Sequence, residues 1–158
     1  MLNTQAIEAI LKKYQYDEKA LINILQDVQE VCEGRYISEE TAAHVSEELN
    51  ISKRTIYEVI TFFAALREHP VGEVLIQLCN STVCKVKKNA EVKAALEEIL
   101  GIEMGETSQD KKFTLEYTTC FGACDVSPAI RINKVVYGNL DRDKTLMLMR
   151  ELKGALYE

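Results

Sequence analysis

The sequence predicts an α+β fold, in which a helical N-terminal domain (residues 1–70) precedes an α/β domain (residues 71–158). In the first part, apolar side chains recur every three or four residues, which is the period of an amphipathic helix. After Pro-Val-Gly at residues 70–72, the pattern changes to short apolar runs and alternating stretches, which are typical of strands. A chain of 158 residues is long enough to bury a core in one ordinary domain or two small ones.

Two helices are predicted at the start of the chain. The first covers roughly residues 4–14. Asp17 is suited to cap the second helix, because its carboxylate can accept hydrogen bonds from the first turn, and Gly34 is suited to end it. The apolar positions between these two residues follow helical spacing: Leu21, Ile24, Leu25, Val28, Val31 and Cys32.

Two more helices complete the predicted N-terminal domain. Ser38 caps a helix that extends to Leu49. Ser52 caps the next, which we expect to continue through Leu66 and to stop before Pro70, because proline disfavours a helical residue ahead of it.

The second domain begins with a short apolar strand at residues 74–78, which leads directly to Cys79. A helix is predicted at about residues 87–100 from its apolar spacing. A second strand, at residues 113–117, alternates in polarity and leads to Cys120. Both strands therefore lead toward a cysteine.

The last elements are a β-hairpin and a helix. Apolar runs at residues 129–132 and 135–137 flank Asn-Lys at 133–134, which favours a tight hairpin turn. Asp141 caps the final helix. The predicted order in this domain is β-α-β-β-β-α.

Composition excludes several classes of protein. Asp and Glu number 25 against 19 Lys and Arg, a formal charge of −6, which argues against a nucleic-acid or anionic-membrane binder. The start lacks the pattern of a signal peptide, and the most apolar window, residues 59–66, is much shorter than a membrane span of roughly 20 residues. We therefore expect a cytoplasmic protein without direct membrane insertion.

The cysteines form the most informative pattern. Four of the five lie in two close pairs, Cys79 with Cys84 and Cys120 with Cys124, separated by 35 residues. Four thiolates can bind a [2Fe–2S] cluster, two on each iron. In the cytoplasm, such pairs indicate metal or redox chemistry more often than structural disulfides.

Alternatives to a cluster stay open at this point. The same four cysteines could bind a tetrahedral zinc ion, or they could be buried small residues. A thioredoxin-type catalyst is not predicted because C-x-x-C is absent, and Rieske ligation is not predicted because His44 and His69 lie outside the cysteine region. Cys32 belongs to the apolar stripe of its helix, so we interpret it as a core residue.

The surroundings of the pairs suit an anionic cluster. Three lysines between residues 85 and 88 add positive charge beside the first pair. Gly122 and Ala123 are small enough to let the backbone donate N–H···S bonds, and Phe121 would help to exclude water. The seven glycines include no Gly-x-Gly, so neither a Rossmann fingerprint nor a P-loop is present. We therefore expect a carrier of single electrons with no catalytic residues and no NAD of its own.

A family resemblance extends over nearly the whole chain and is most specific around the second pair. It is carried by LQDVQE at 25–30, YIS at 36–38, IYEV at 56–59, TFF at 61–63, PVG at 70–72, GET at 105–107, FTLE at 113–116, and CFGAC at 120–124 with Pro128. These segments resemble the small thioredoxin-like [2Fe–2S] subunit of complex I-type NADH dehydrogenases. The same subunit occurs in NAD-linked and electron-bifurcating [FeFe]-hydrogenases and in NAD-dependent formate dehydrogenases.

The resemblance implies a thioredoxin-like [2Fe–2S] domain at residues 71–158, behind the helical N-terminal domain. It implies that Cys79, Cys84, Cys120 and Cys124 bind the cluster. It also implies a partner, an iron–sulfur flavoprotein that binds FMN and NAD(H), within an oxidoreductase complex with further redox subunits. In that complex this chain would transfer electrons and would not be catalytic alone.

Three positions depart from the family pattern. The family commonly has glycine where Ser81 stands, and Arg-Gly where Lys-Lys stands at residues 87–88. All four cysteines are present. The departures therefore concern the geometry of the loop and the reduction potential of the cluster, and not cluster binding.

A DNA-binding regulator is the alternative function. Residues 41–57 have the rhythm of a helix-turn-helix, and a four-cysteine zinc or Fe–S site could serve as its sensor. However, residues 1–70 hold seven Lys and Arg against twelve Asp and Glu, a net charge of −5, whereas DNA readers need a basic face. We therefore expect no nucleic-acid partner.

Overall fold

The computed structural model describes residues 3–157 and has the predicted α+β architecture. The chain divides into two compact units, the first ending at Pro70 and the second beginning at Val71. Each unit has its own cluster of buried apolar side chains. We call them the helical unit and the sheet unit.

The helical unit is built from amphipathic helices whose apolar faces form one core. Three of its helices begin at a residue whose side chain accepts a hydrogen bond from the first turn: Asn3, Ser38 and Ser52. Asp17 caps the 3₁₀ turn that precedes the second helix, accepting from the N–H of Lys19 at 3.0 Å, and not the helix itself. The helices are α1 Thr4–Lys13, α2 Leu21–Val31, α3 Glu39–Leu49 and α4 Lys53–Phe62, with 3₁₀ turns at Glu18–Ala20 and Glu33–Arg35.

The fourth helix is shorter than the sequence predicts. It ends at Phe62, although Leu66 is still buried in the core beyond it. The buried side chain of Gln29 explains the difference: its Nε2 donates to the carbonyl of Ala65 (3.1 Å), and its Oε1 accepts from the N–H of Arg67 (2.7 Å). These bonds hold the segment outside the helix, and helical periodicity carries no signal of such a tertiary contact.

The sheet unit places helices against a mixed sheet, and the described strands follow the order β2-β1-β3-β4. β1 pairs in parallel with β2 and antiparallel with β3, and β3 forms the predicted hairpin with β4. Buried residues from β1, α6 and α7 belong to one core cluster. The elements are β1 Val74–Cys79, α5 Thr82–Val86, α6 Asn89–Leu100, β2 Phe113–Thr118, a 3₁₀ turn at Cys124–Val126, β3 Ile130–Ile132, β4 Val135–Tyr137 and α7 Arg142–Tyr157.

Most predicted elements of the sheet unit are confirmed. The final helix begins after Asp141, whose carboxylate accepts from the N–H of Lys144 at 2.8 Å. The α-helix α5 was not predicted from the sequence, and a loop was expected in its place. Its five residues are too few to display a helical repeat of apolar positions. Within residues 3–157, no helix combines the length and apolarity needed to cross a membrane.

Candidate metal centre

The parallel pairing of β1 and β2 brings the two cysteine segments together. In this register Cys79, the last residue of β1, lies opposite Thr118, the last residue of β2. Because parallel strands point the same way, the segments that follow them leave the same edge of the sheet. The N–H of Asn80 donates to the Thr118 carbonyl (3.0 Å), and the N–H of Cys79 donates to the Ala129 carbonyl (3.3 Å). The start of the segment with Cys79 and Cys84 is therefore hydrogen-bonded to the residues on both sides of the segment with Cys120 and Cys124.

The first pair is buried. Cys79 is 3% exposed at the end of β1, and Cys84 is 1% exposed in α5. The buried side chain of Asn89, the first residue of α6, donates to the Cys79 carbonyl at 3.0 Å and ties the two ends of the segment together. The hydroxyl of Ser81 lies 3.2 Å from the Cys79 sulfur.

The second pair is more accessible. Cys120 is exposed and Cys124 is half-buried, with their sulfurs 3.3 Å apart. The N–H of Gly122 donates to the Cys120 sulfur at 3.4 Å, so the expected N–H···S bond is present at this glycine. Gly122 has φ +85°, a left-handed conformation that glycine adopts without strain.

The four thiols act on one another electrostatically. Burial tends to raise the pKa of Cys79, but hydrogen bonds from the hydroxyl and N–H of Ser81, and from the thiols of Cys84 and Cys120, lower it overall. Burial and the neighbouring Cys79 raise the pKa of Cys84. The hydrogen bond to Cys120 and the other nearby sulfurs raise the pKa of Cys124.

The donor set fits a metal centre. A metal requires its cysteine ligands as thiolates, and both cysteine pairs offer free sulfurs. Among the described residues, no three His, Cys, Asp or Glu side chains are arranged to hold a single metal ion. A [2Fe–2S] cluster has two iron atoms with two thiolates on each. The free thiols come in two pairs, from two segments.

The second pair has an aromatic and cationic neighbour. The guanidinium of Arg131, on β3, lies 5.4 Å from the centre of the Phe121 ring. Arg131 is itself held by Gln77 on β1, because its Nε donates to the Gln77 Oε1 at 2.8 Å. Phe121 is half-buried, and its part in excluding water stays a prediction. The predicted lysines beside the first pair, Lys85, Lys87 and Lys88, are exposed.

Three residues that support the site were not identified from the sequence. Asn89 anchors Cys79, as described above. Gly138 lies so close to Val126, just after Cys124, that an added Cβ would be 2.4 Å from the Val126 Cγ2. Ser81 was noted as a departure from the family, without a contact. The position of Asn89 at a predicted helix start was the single available signal, and it favoured an N-cap role.

Cys32 lies apart from these cysteines in sequence and in surroundings. It packs against the core of the helical unit, and its sulfur is 3.9 Å from the Thr41 hydroxyl. Burial raises the pKa of this thiol. A protonated thiol packed beside apolar groups has the character of a core residue.

Comparisons with known proteins agree with this description. The sequence model of the family described as thioredoxin-like [2Fe-2S] ferredoxin matches residues 7–153. One subunit of the NADH-quinone oxidoreductase from Buchnera aphidicola subsp. Baizongia pistaciae is 36% identical over 140 residues, covering 89% of this chain and 81% of the relative. The mitochondrial NADH dehydrogenase [ubiquinone] flavoprotein 2 of Dictyostelium discoideum is 35% identical over 154 residues, covering 96% of this chain and 62% of the relative.

Hydrogenases are also similar. The alpha subunit of the NAD-reducing hydrogenase HoxS of Cupriavidus necator is 35% identical over 147 residues, but this chain spans 24% of its length. The crystal structure of an NAD+-reducing [NiFe]-hydrogenase in the air-oxidized state aligns with a TM-score of 0.74 at 18% identity, over 86% of this chain and 23% of that one. The latter likeness concerns the fold alone. On the match across residues 7–153, the chain belongs to the thioredoxin-like [2Fe–2S] ferredoxin family, whose cofactor is a [2Fe–2S] cluster.

Proposed function

We propose that this chain is a one-electron carrier whose [2Fe–2S] cluster is bound by Cys79, Cys84, Cys120 and Cys124. The observation that carries the proposal is the meeting of two pairs of free thiols, from distant segments, at one edge of the sheet. Donors already face the sulfurs, since the Gly122 N–H and the Ser81 hydroxyl lie within hydrogen-bonding distance. The family match supports the same assignment.

The protein's own groups would determine how the centre behaves. A bound [2Fe–2S] cluster supplies a centre that accepts and returns one electron. Cys79 and Cys84 hold their side of the site away from water, whereas the exposed Cys120 lies where an electron could enter or leave. The N–H of Gly122 and the hydroxyl of Ser81 would stabilise negative charge on the ligand sulfurs.

We further propose that the chain is the small electron-transfer component of a multisubunit NAD(H)-dependent oxidoreductase, of a respiratory, hydrogenase or electron-bifurcating type. Its relatives are one component of an NADH-quinone oxidoreductase and part of the alpha subunit of an NAD-reducing hydrogenase. On this proposal, the chain exchanges electrons with an FMN- and NAD(H)-binding iron–sulfur flavoprotein and does no bond chemistry alone. Close cysteine pairs with metal or redox chemistry are typical of a reducing compartment, so we also propose a cytoplasmic location.

Anaerobic purification of the full chain is the direct test of the cofactor. We expect about two irons and two sulfides per chain, visible charge-transfer absorption, and an EPR signal after reduction with dithionite. Iron, sulfide and zinc are measured on the same sample. One zinc per chain, with no visible absorption, would overturn the assignment.

The partner is tested by co-expression with a candidate flavoprotein. We expect a complex that contains FMN and in which NADH reduces the cluster of this chain, detected by EPR. Sequence-specific retention on DNA at moderate salt would instead favour the regulator. The structure gives little support to DNA reading, because α4 buries Ile56 and Ile60, and its exposed Arg54 pairs with Glu58 at 2.8 Å.

A further inference from the structure

Ser81 occupies a helix start but does not cap the helix. It is the N-cap residue of α5, yet its side chain makes no capping hydrogen bond. The two serines at helix starts in the helical unit behave differently. The hydroxyls of Ser38 and Ser52 each accept from a backbone N–H three residues later, both at 3.1 Å. Capping is the usual reason for serine at such a position, so Ser81 calls for another explanation.

The Ser81 hydroxyl faces sulfur instead. Its oxygen is 3.2 Å from the sulfur of Cys79, well inside the range for a hydrogen bond to sulfur. Cys79 is 3% exposed, so water has little access to compete for this contact. A cysteine that binds a cluster is a thiolate without a proton, so in this contact the Ser81 hydroxyl would be the donor and the Cys79 sulfur the acceptor.

We propose that Ser81 is a positioning residue that raises the reduction potential of the cluster by donating a hydrogen bond to the Cys79 sulfur. This inference rests on the proposed function. Adding one electron makes the ligand sulfurs more negative, and a hydrogen bond to an anion is stronger than one to a less charged acceptor. The bond therefore stabilises the reduced state more than the oxidised state. Hydrogen bonding to sulfur is one of the factors that set the potential of an iron–sulfur centre.

The test compares three variants of the full chain with wild type by EPR-monitored redox titration, with dithionite as the source of electrons. Ser81→Ala removes the donor, Ser81→Thr retains a hydroxyl, and Thr82→Ala removes a hydroxyl from the exposed neighbouring residue. We expect Ser81→Ala to lower the equilibrium constant for reduction about tenfold, a shift of about 59 mV to more negative potential for a one-electron couple. Ser81→Thr and Thr82→Ala should stay near the wild-type potential.

A spectroscopic measurement gives a second readout. In the reduced wild type, we expect ENDOR to detect a proton that couples to the cluster, exchanges in D₂O and disappears in Ser81→Ala. An unchanged potential in Ser81→Ala would overturn the inference and leave the proposed function intact. A wild type that binds zinc would overturn both. If Ser81→Ala fails to load iron, Ser81→Gly replaces it, because glycine is accepted at a helix N-cap and also lacks the hydroxyl.

Discussion

The helical unit and the sheet unit use the same residue types differently. In the helical unit, Ser38 and Ser52 cap helices, and Cys32 packs with the core. In the sheet unit, Ser81 stands at a helix start but faces a sulfur, and the cysteines lie in pairs at the end of two parallel strands. Residue type and local position therefore do not fix the role of a side chain, because the role depends on which partners the tertiary fold brings within reach.

The largest expected effect separates the cysteines of the two units. Replacing Cys120 or Cys124 with serine should abolish the cluster or greatly reduce its occupancy, because an iron would lose a thiolate ligand. Cys32→Ser should retain the full cluster, because this sulfur packs in the core of the other unit. The iron content and visible absorption of each anaerobically purified variant measure its cluster occupancy.

Cys32→Ser is also the matched control, because it is the same substitution at a partly buried cysteine. Loss of visible absorption in Cys32→Ser, with retention in Cys120→Ser, would show that our ligand set is wrong. Cys32 of the helical unit would then be needed for cluster binding, and the cysteines of the two units would not differ as we propose.

Core substitutions test whether the two units are separate domains, as we propose. Ile24 and Ile76 are each fully buried, one in each unit. Replacing either with alanine should lower the free energy of unfolding of its own unit by about 2–5 kcal/mol, through lost burial and a residual cavity. Urea unfolding is followed with two probes. Far-UV circular dichroism reports on the helices of both units, whereas cluster absorption reports on the sheet unit alone.

Ile24→Ala should leave the urea midpoint of cluster absorption unchanged, and Ile76→Ala should lower it. Val31→Ala, at a 39% exposed position of α2, is the control and should change the stability by less than about 0.5 kcal/mol. A single shared transition that both core variants shift equally would contradict separate domains.

The sequence predicted the elements better than it predicted the site's supports. Caps at Ser38, Ser52 and Asp141, and the turn at residues 133–134, follow from local chemistry and were therefore accessible. The end of α4 was not, because it depends on hydrogen bonds from Gln29, a residue more than 30 positions away.

Spacing alone led to the prediction of the four cysteines as ligands, which stays a prediction, and the approach of the two cysteine segments depends on the parallel pairing of β1 with β2. The contact between Asn89 and the Cys79 carbonyl depends on the same tertiary arrangement. Helical or strand periodicity in a single sequence gives no information on such contacts. The pattern therefore identified the chemistry of the site, and the fold supplied its geometry.

The serines at helix starts provide a smaller test. Ser38→Ala and Ser52→Ala should each lower the free energy of unfolding by about 1 kcal/mol, the typical cost of losing an N-cap. Ser81→Ala should cost less than either, since its hydroxyl makes no capping bond. Urea unfolding of the three variants measures these losses. Ser52→Asp should retain most of the stability that Ser52→Ala loses, because aspartate is also a good N-cap residue. An equal loss in Ser81→Ala and Ser52→Ala would mean that Ser81 also acts as a cap.

The smallest expected effect concerns two adjacent lysines in the sheet unit. Lys88 has φ +66°, in the left-handed region, whereas Lys87 has φ −88°. The left-handed conformation costs a non-glycine residue roughly 1–2 kcal/mol, which explains why glycine is suited to the position of Lys88. Glycine also gains entropy in the unfolded chain, so Lys88→Gly should stabilise the protein by only about 0.5 kcal/mol.

Lys87→Gly is the matched control, because it removes the same charge beside Cys84 from a residue with an ordinary backbone conformation. It should destabilise the protein by about 0.5–1 kcal/mol, since glycine there adds freedom to the unfolded chain without relieving strain. In Lys88→Gly, loss of the exposed ion pair between Lys88 and Glu91 (3.6 Å) should change the free energy of unfolding little. If the free energy of unfolding measured in urea rises in Lys88→Gly and falls in Lys87→Gly, the difference is due to backbone conformation. Equal losses of stability in both variants would show that the left-handed residue is not a source of strain.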